Sequence, residues 1–193
     1  MSSARFGKQQ LTYTMLRVLY ALCESEEPIT KEEVLARLRS LDRRMGLVAD
    51  WVLVSVTMSV KSLVQRRLVK NESGGIVATM KGKGALSSWV YEVSGQQDIY
   101  RVVRYTTAND WRHALDVLRN LLRADKRLEL VSQKVSALQV HLCLEKALGH
   151  GWVNRRGNGR GKPPGVDFWS RTREGYDLIK GLDSAAKEAK GDE

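Results

Sequence analysis

One pattern occurs twice in this chain, and it constrains the fold more than any other feature. Val56, Val60, Leu63 and Val64 in the first half correspond to Val140, Leu144, Ala147 and Leu148 in the second. Arg67-Leu68-Val69 corresponds to Gly151-Trp152-Val153, and Thr79-x-x-Gly82 to Thr172-x-x-Gly175. Each threonine is expected to close a hairpin and each glycine to follow the start of a helix. The second copy is longer between its third helix and that threonine, and shorter between its first and third helices. A duplicated unit of about 80 residues predicts two small domains rather than one.

The first copy reads as three helices and a hairpin. Leu16, Leu19, Leu22 and Cys23 fall at helical spacing within residues 11–23. Pro28-Ile29-Thr30 breaks the chain, and Thr30 with Glu33 has the Ser/Thr-x-x-Glu spacing of a capping box. A second helix runs on through Val34, Leu35 and Leu38. After Gly46 a third helix is predicted from Ala49 or Asp50 to Arg66 or Arg67, with Val52, Val56, Val60, Leu63 and Val64 inward. Strands are predicted at Leu68–Asn71 and Ile76–Thr79 around the turn Ser73-Gly74-Gly75, then a helix over Lys81–Val90.

In the second copy, Trp111–Leu122 is predicted to be helix one, Leu128–Lys134 a short helix two, and Ser136–Leu148 helix three. Trp152–Arg156 and Val166–Thr172 are expected as strands around a long turn, Gly157–Gly165, with a closing helix at Arg173–Leu182. Between the copies, residues 91–108 read as a linker. Its run Tyr100-Arg101-Val102-Val103-Arg104-Tyr105 is strand-like.

Leu63-Val64-Gln65-Arg66-Arg67-Leu68-Val69, a Gly turn, then Thr79-Met80-Lys81-Gly82 resembles the winged helix-turn-helix superfamily, in particular its MarR/PadR-type regulators. Leu144–Leu148 to Trp152-Val153, then Ser170-Arg171-Thr172-Arg173-Glu174-Gly175, resembles the same pattern again. The resemblance implies an α+β fold, mostly helical with small hairpins, as tandem winged helix-turn-helix domains over residues 8–90 and 109–183. Residues 184–193 would form a polar tail. It also implies that the third helix of each unit enters the major groove and that the hairpin beside it reaches phosphates.

Charge bears on partners. The chain has 193 residues, a formal net charge of +10 and a pI near 9.8, so polyanions are its natural partners and nucleic acid comes first. Residues 1–93 carry 14 Lys+Arg against 9 Asp+Glu, and residues 94–193 carry 18 against 13. The excess is thus shared between the halves rather than held in a basic tail. No run of about 18 apolar residues predicts a membrane span, and residues 1–10 lack the apolar core of a secretory signal. Cys23 and Cys143 lie apart within apolar helical patterns and read as reduced, buried thiols. His113, His141 and His150 show no metal-ligand spacing with one another or with the cysteines. Gly159-Arg160-Gly161-Lys162-Pro163 lacks the Gly-Lys-Ser/Thr ending of a phosphate-binding loop. No catalytic set and no cofactor motif stands out, so an enzyme is not expected.

The candidate DNA-contacting residues follow from the helix and hairpin patterns. Ser55, Ser59, Ser62 and Arg66 fall on one stripe of the first unit's third helix, with Lys61 nearby. Small hydroxyls let a helix approach base edges. The matching stripe of the second unit is Gln139, Cys143, Lys146 and His150, of which Gln139 and Lys146 suit base or phosphate contact. The densest signal is the second hairpin, where Arg155, Arg156, Arg160, Lys162, Arg171 and Arg173 are interleaved with glycine and proline. Trp51, Trp89, Trp111, Trp152 and Trp169 read as packing anchors.

The expectation is therefore a cytoplasmic, nucleoid-associated prokaryotic protein that binds double-stranded DNA, a transcriptional regulator, with a homodimer left open. A plasmid or phage replication or partition protein is a second DNA-linked reading. An interaction scaffold of a chromosome-organising complex is a third, and an apolar stripe on an outward helix face would argue for it.

Overall fold

In a computed structural model of the chain, residues 3–6, 9–108, 110–124, 137–157 and 165–191 are described. They are mostly helical, with three two-stranded antiparallel hairpins. The chain divides into two compact units, one of Met1–Arg43 and Leu47–Val93, the other of Arg44–Gly46 and Ser94–Glu193. The predicted short helix at Leu128–Lys134 lies outside the described residues.

The N-terminal unit opens with a hairpin of β1 (Ser3–Phe6) and β2 (Gln9–Thr12). Helix α1 (Tyr13–Cys23) follows, its first turn capped by the Thr12 hydroxyl, which accepts from the Met15 amide at 3.2 Å. Leu16, Val18, Leu19 and Leu22 make α1 the centre of this unit's core. Helix α2 (Lys31–Met45) starts at the predicted capping box. There the Glu33 amide donates to Thr30 Oγ1 at 3.2 Å and the Thr30 amide to Glu33 Oε2 at 2.6 Å. Thr30 donates to the Glu33 carboxylate through its amide and its hydroxyl, and these bonds pull the carboxyl below its ordinary pKa. Gly46, at φ +78°, ends α2, and the Leu47 amide returns to Asp42 O at 2.8 Å.

Helix α3 (Leu53–Gln65) buries Val56, Ser59, Val60 and Leu63. It leads into β3 (Val69–Glu72) and β4 (Gly75–Ala78), and α4 (Met80–Val93) closes the unit. Ile29, between α1 and α2, bridges to Ile76 of β4.

In the C-terminal unit, α5 (Gln96–Tyr105) and α6 (Ala114–Ala124) precede α7 (Ala137–Gly149). The hairpin β5 (Val153–Arg156) and β6 (Phe168–Arg171) then leads to α8 (Arg173–Gly191). Arg112, between α5 and α6, bridges to Trp169 of β6, as Ile29 bridges to Ile76. After the opening hairpin of the first unit, the described residues of both units therefore follow the order helix, bridge, helix, helix, hairpin, helix.

This order corrects three expectations. Residues 91–108 are not a linker with a strand, because Gln96–Tyr105 is helix one of the second unit. Its Ile99, Val102 and Val103 are buried at helical spacing, and that amphipathic face outweighs the β propensity of the run. The helix predicted from Trp111 is helix two and starts only at Ala114, since Arg112 N and O are both engaged by Trp169. The tail predicted from Ser184 continues α8 to Gly191, a stretch rich in Ala, Lys and Glu, all good helix formers.

The two copies agree most closely at the hairpin exits. The Leu68 amide returns to Leu63 O and the Trp152 amide to Ala147 O, each at 3.0 Å. The residue before each, Arg67 and Gly151, has φ of +58° and +73°. Thr79 Oγ1 donates to Arg67 O at 2.9 Å, and Thr172 Oγ1 to Gly151 O at 2.8 Å. The same hydroxyls accept from the amides of Gly82 and Gly175. A Cβ on Gly82 would meet Leu68 O at 2.0 Å, and one on Gly175 would meet Trp152 O at 2.2 Å. The Thr-x-x-Gly signature thus lets the last helix of each unit start directly against the end of the third.

Candidate nucleic-acid interface

The third helix of the N-terminal unit does not turn the expected face outward. Ser59 is only 7% exposed. It lies three residues after Val56 and four before Leu63, inside the arc that α3 buries. Ser55, Ser62 and Arg66 are half-buried, and the Ser62 hydroxyl donates to Met58 O at 3.1 Å. Lys61 is exposed. The outward stripe instead holds Val54, Met58, Lys61 and Gln65, with Val54 73% and Met58 62% exposed. Val48 and Val52, in the segment leading into α3, are 83% and 52% exposed. Trp51 fixes that segment. Its carbonyl accepts from the Arg39 guanidinium at 3.1 and 2.8 Å, and its ring lies under Arg17, 4.8 Å from the guanidinium carbon. Arg17 also pairs with buried Asp42.

In the C-terminal unit, α7 is closed off. Ala137, Leu138, Val140–Leu144 and Ala147 are buried. Gln139 and Cys143 line a small cavity with Asp98, Arg101 and Val102 of α5, so their stripe faces helix one rather than solvent. Lys146 donates to Ser94 O at 2.9 Å. Burial pushes the Cys143 thiol up to about 12 and Cys23 up to about 11, so both stay protonated. Among the described residues, Gln139 and Lys146 are half-buried against other parts of their unit rather than set on the exposed stripe expected of them.

The hairpin after α7 is different. Asn154, Arg155 and Arg156 are exposed on β5, paired in register as Arg155 with Trp169 and Arg156 with Phe168. Successive strand residues point to opposite faces, and each arginine has its own support. Arg155 donates to Glu145 Oε1 of α7 at 2.7 Å and lies over the buried Trp169 ring. The Arg156 guanidinium carbon sits 4.3 Å from the centroid of Trp111. An indole under a guanidinium holds its plane while leaving N–H donors open to an acceptor such as phosphate. Arg171 donates to Arg104 O at 3.2 Å and lies over Tyr176. Arg173, the first residue of α8, is exposed and makes no ion pair among the described residues. Arg160 and Lys162 lie outside the described residues.

Sequence reasoning missed two contributors. Trp111 is a half-exposed platform for Arg156 rather than a core anchor. Glu145 tethers Arg155 across elements, an interaction with no local signature. Nor did the histidine spacing point to His141. Its ring is fully buried, edge-on to Trp169, and its ligand atoms lie within 4.8 Å of those of Glu145 and Asp167. Burial lowers its pKa to about 4. Because Arg155 already occupies the Glu145 carboxylate, the cluster is a salt-bridged support for the hairpin.

No helix is long and apolar enough to cross a membrane among the described residues. No family model matches this chain, and no curated protein or solved structure matches it either.

Proposed function

We propose that this chain is a duplex-DNA-binding protein of the tandem winged-helix type, acting as a transcriptional regulator, and that the basic hairpin of its C-terminal unit is the DNA-contacting surface. The observation that carries this reading is the set of Arg155, Arg156, Arg171 and Arg173 on β5, β6 and the start of α8. Arg156 lies over the Trp111 ring. Winged-helix architecture is supported by the repeated order of helix, bridge, helix, helix, hairpin and helix. A net charge of +10 supports a polyanionic partner. The hairpin would anchor on phosphates, a contact that sets register and orientation but does not itself read sequence.

The test is fluorescence anisotropy with a labelled random-sequence duplex at low salt. The Arg155/Arg156/Arg160/Lys162→Ala variant is expected to bind at least tenfold more weakly than the native chain. Equal affinities would remove the hairpin from the interface.

A second reading, an adaptor that binds protein rather than DNA, is favoured by one observation: the outward face of α3 is apolar at Val54 and Met58. It predicts no DNA binding by the native chain even at low salt.

A further inference from the structure

We propose that the outward face of α3 is a two-fold contact between two copies of this chain. The face has an apolar centre and oppositely charged ends. Val54 and Met58 lie one turn apart in the middle, and Val52 and Val48 are exposed in the segment that leads into the helix. Exposed Asp50 stands ahead of the helix N-terminus and exposed Lys61 beyond Met58, and neither makes an ion pair among the described residues. Both ends of the segment are fixed, by the Arg39 bonds to Trp51 O before the helix and by the Leu68 amide bond to Leu63 O after it.

A surface with this sequence of groups is complementary to itself. In an isologous contact, residue i meets residue j and j meets i. Two α3 helices crossing antiparallel, with the axis between Val54 and Met58, set Val54 against the partner's Met58 and Met58 against the partner's Val54. The same operation carries the partner's Asp50 to the end of the helix that bears Lys61, twice over. Val54 is short and Met58 adaptable, which suits axes about 8–10 Å apart. A heterologous partner would need no such alternation of sign along the face. The charge of +10 per copy opposes association, but charges beyond about 8 Å are screened at physiological salt. A patch of this size predicts a weak dimer, with a dissociation constant on the order of 10 µM.

The experiment is sedimentation equilibrium of the full chain up to about 100 µM, with variants at exposed positions that leave the core untouched. The native chain is expected to dimerise and Val54→Glu/Met58→Glu to remain monomeric. Asp50→Lys and Lys61→Asp alone are each expected to weaken the dimer at least tenfold. The double swap Asp50→Lys/Lys61→Asp is expected to restore it, because both cross-pairs are regenerated with reversed sign. A monomeric native chain, or a dimer that survives Val54→Glu/Met58→Glu, would overturn the proposal. Failure of the double swap to restore the dimer would overturn the antiparallel pairing. None of these readouts depends on DNA binding.

Discussion

The threonine hydroxyls of Thr79 and Thr172 each do two things: donate to the carbonyl of a left-handed residue and accept from a helix amide. The glycines three residues on are required by close approach to backbone, not by φ. Gly175→Ala is expected to cost about 1–3 kcal/mol in denaturant unfolding of its unit, since the new Cβ meets Trp152 O. Gly181→Ala on the same helix, with nothing within 4 Å, should instead stabilise by roughly 0.5–1 kcal/mol. His141 gives a pH signature. Its folded pKa of about 4 lies below its ordinary value of 6.5 because burial disfavours the charged ring. The unfolded chain therefore binds more protons between those values, and stability falls as pH drops from about 6.5 towards 4. The loss is on the order of 1 kcal/mol per pH unit, and His141→Leu should flatten it in a pH series of thermal unfolding. That threonines and glycines were legible while His141 was not has a simple cause. The former act within a local turn, whereas burial of His141 depends on Trp169 and Asp167 from another element.

Most helices could be placed from their apolar period, and the two hairpins that follow the third helices from their glycine turns. Two of the readings that the structure corrects differ from it for identifiable reasons. Gln96–Tyr105 carries aromatic and β-branched residues that suit a strand, and only its packing against the rest of the unit selects the helix. In the sequence, Ser55, Ser59 and Ser62 look like a polar outward face of α3. The buried arc of this helix passes through Ser59, and apolar Val54 and Met58 are left outside. Comparison of the copies at the end of the third helix also yields a stability prediction. Arg67 sits at φ +58° where the second copy has Gly151, a conformation that costs a non-glycine residue about 1 kcal/mol or more. Arg67→Gly should recover roughly that amount in thermal unfolding of the N-terminal unit, whereas Gly151→Arg should lose it.

At the scale of the molecule, the two copies present different surfaces on one architecture. The N-terminal unit offers an apolar helix face and a short hairpin whose Lys70 is paired with Glu72. The C-terminal unit has a closed third helix and a hairpin rich in arginine. A dimer through the first would carry two copies of the second, and two linked anchors bind more tightly than one when both engage the same duplex. Such avidity should make native DNA binding concentration-dependent and reduce it in Val54→Glu/Met58→Glu. The central claim, that the C-terminal hairpin lies on DNA phosphates, is tested most directly by the salt dependence of binding to a random duplex. For each phosphate that a variant no longer neutralises, the slope of log affinity against log salt should shrink by about 0.9. The native chain is expected to give a steep slope, and Arg155/Arg156/Arg160/Lys162→Ala one smaller by several such steps. Equal slopes, or no binding by the native chain at low salt, would contradict that claim.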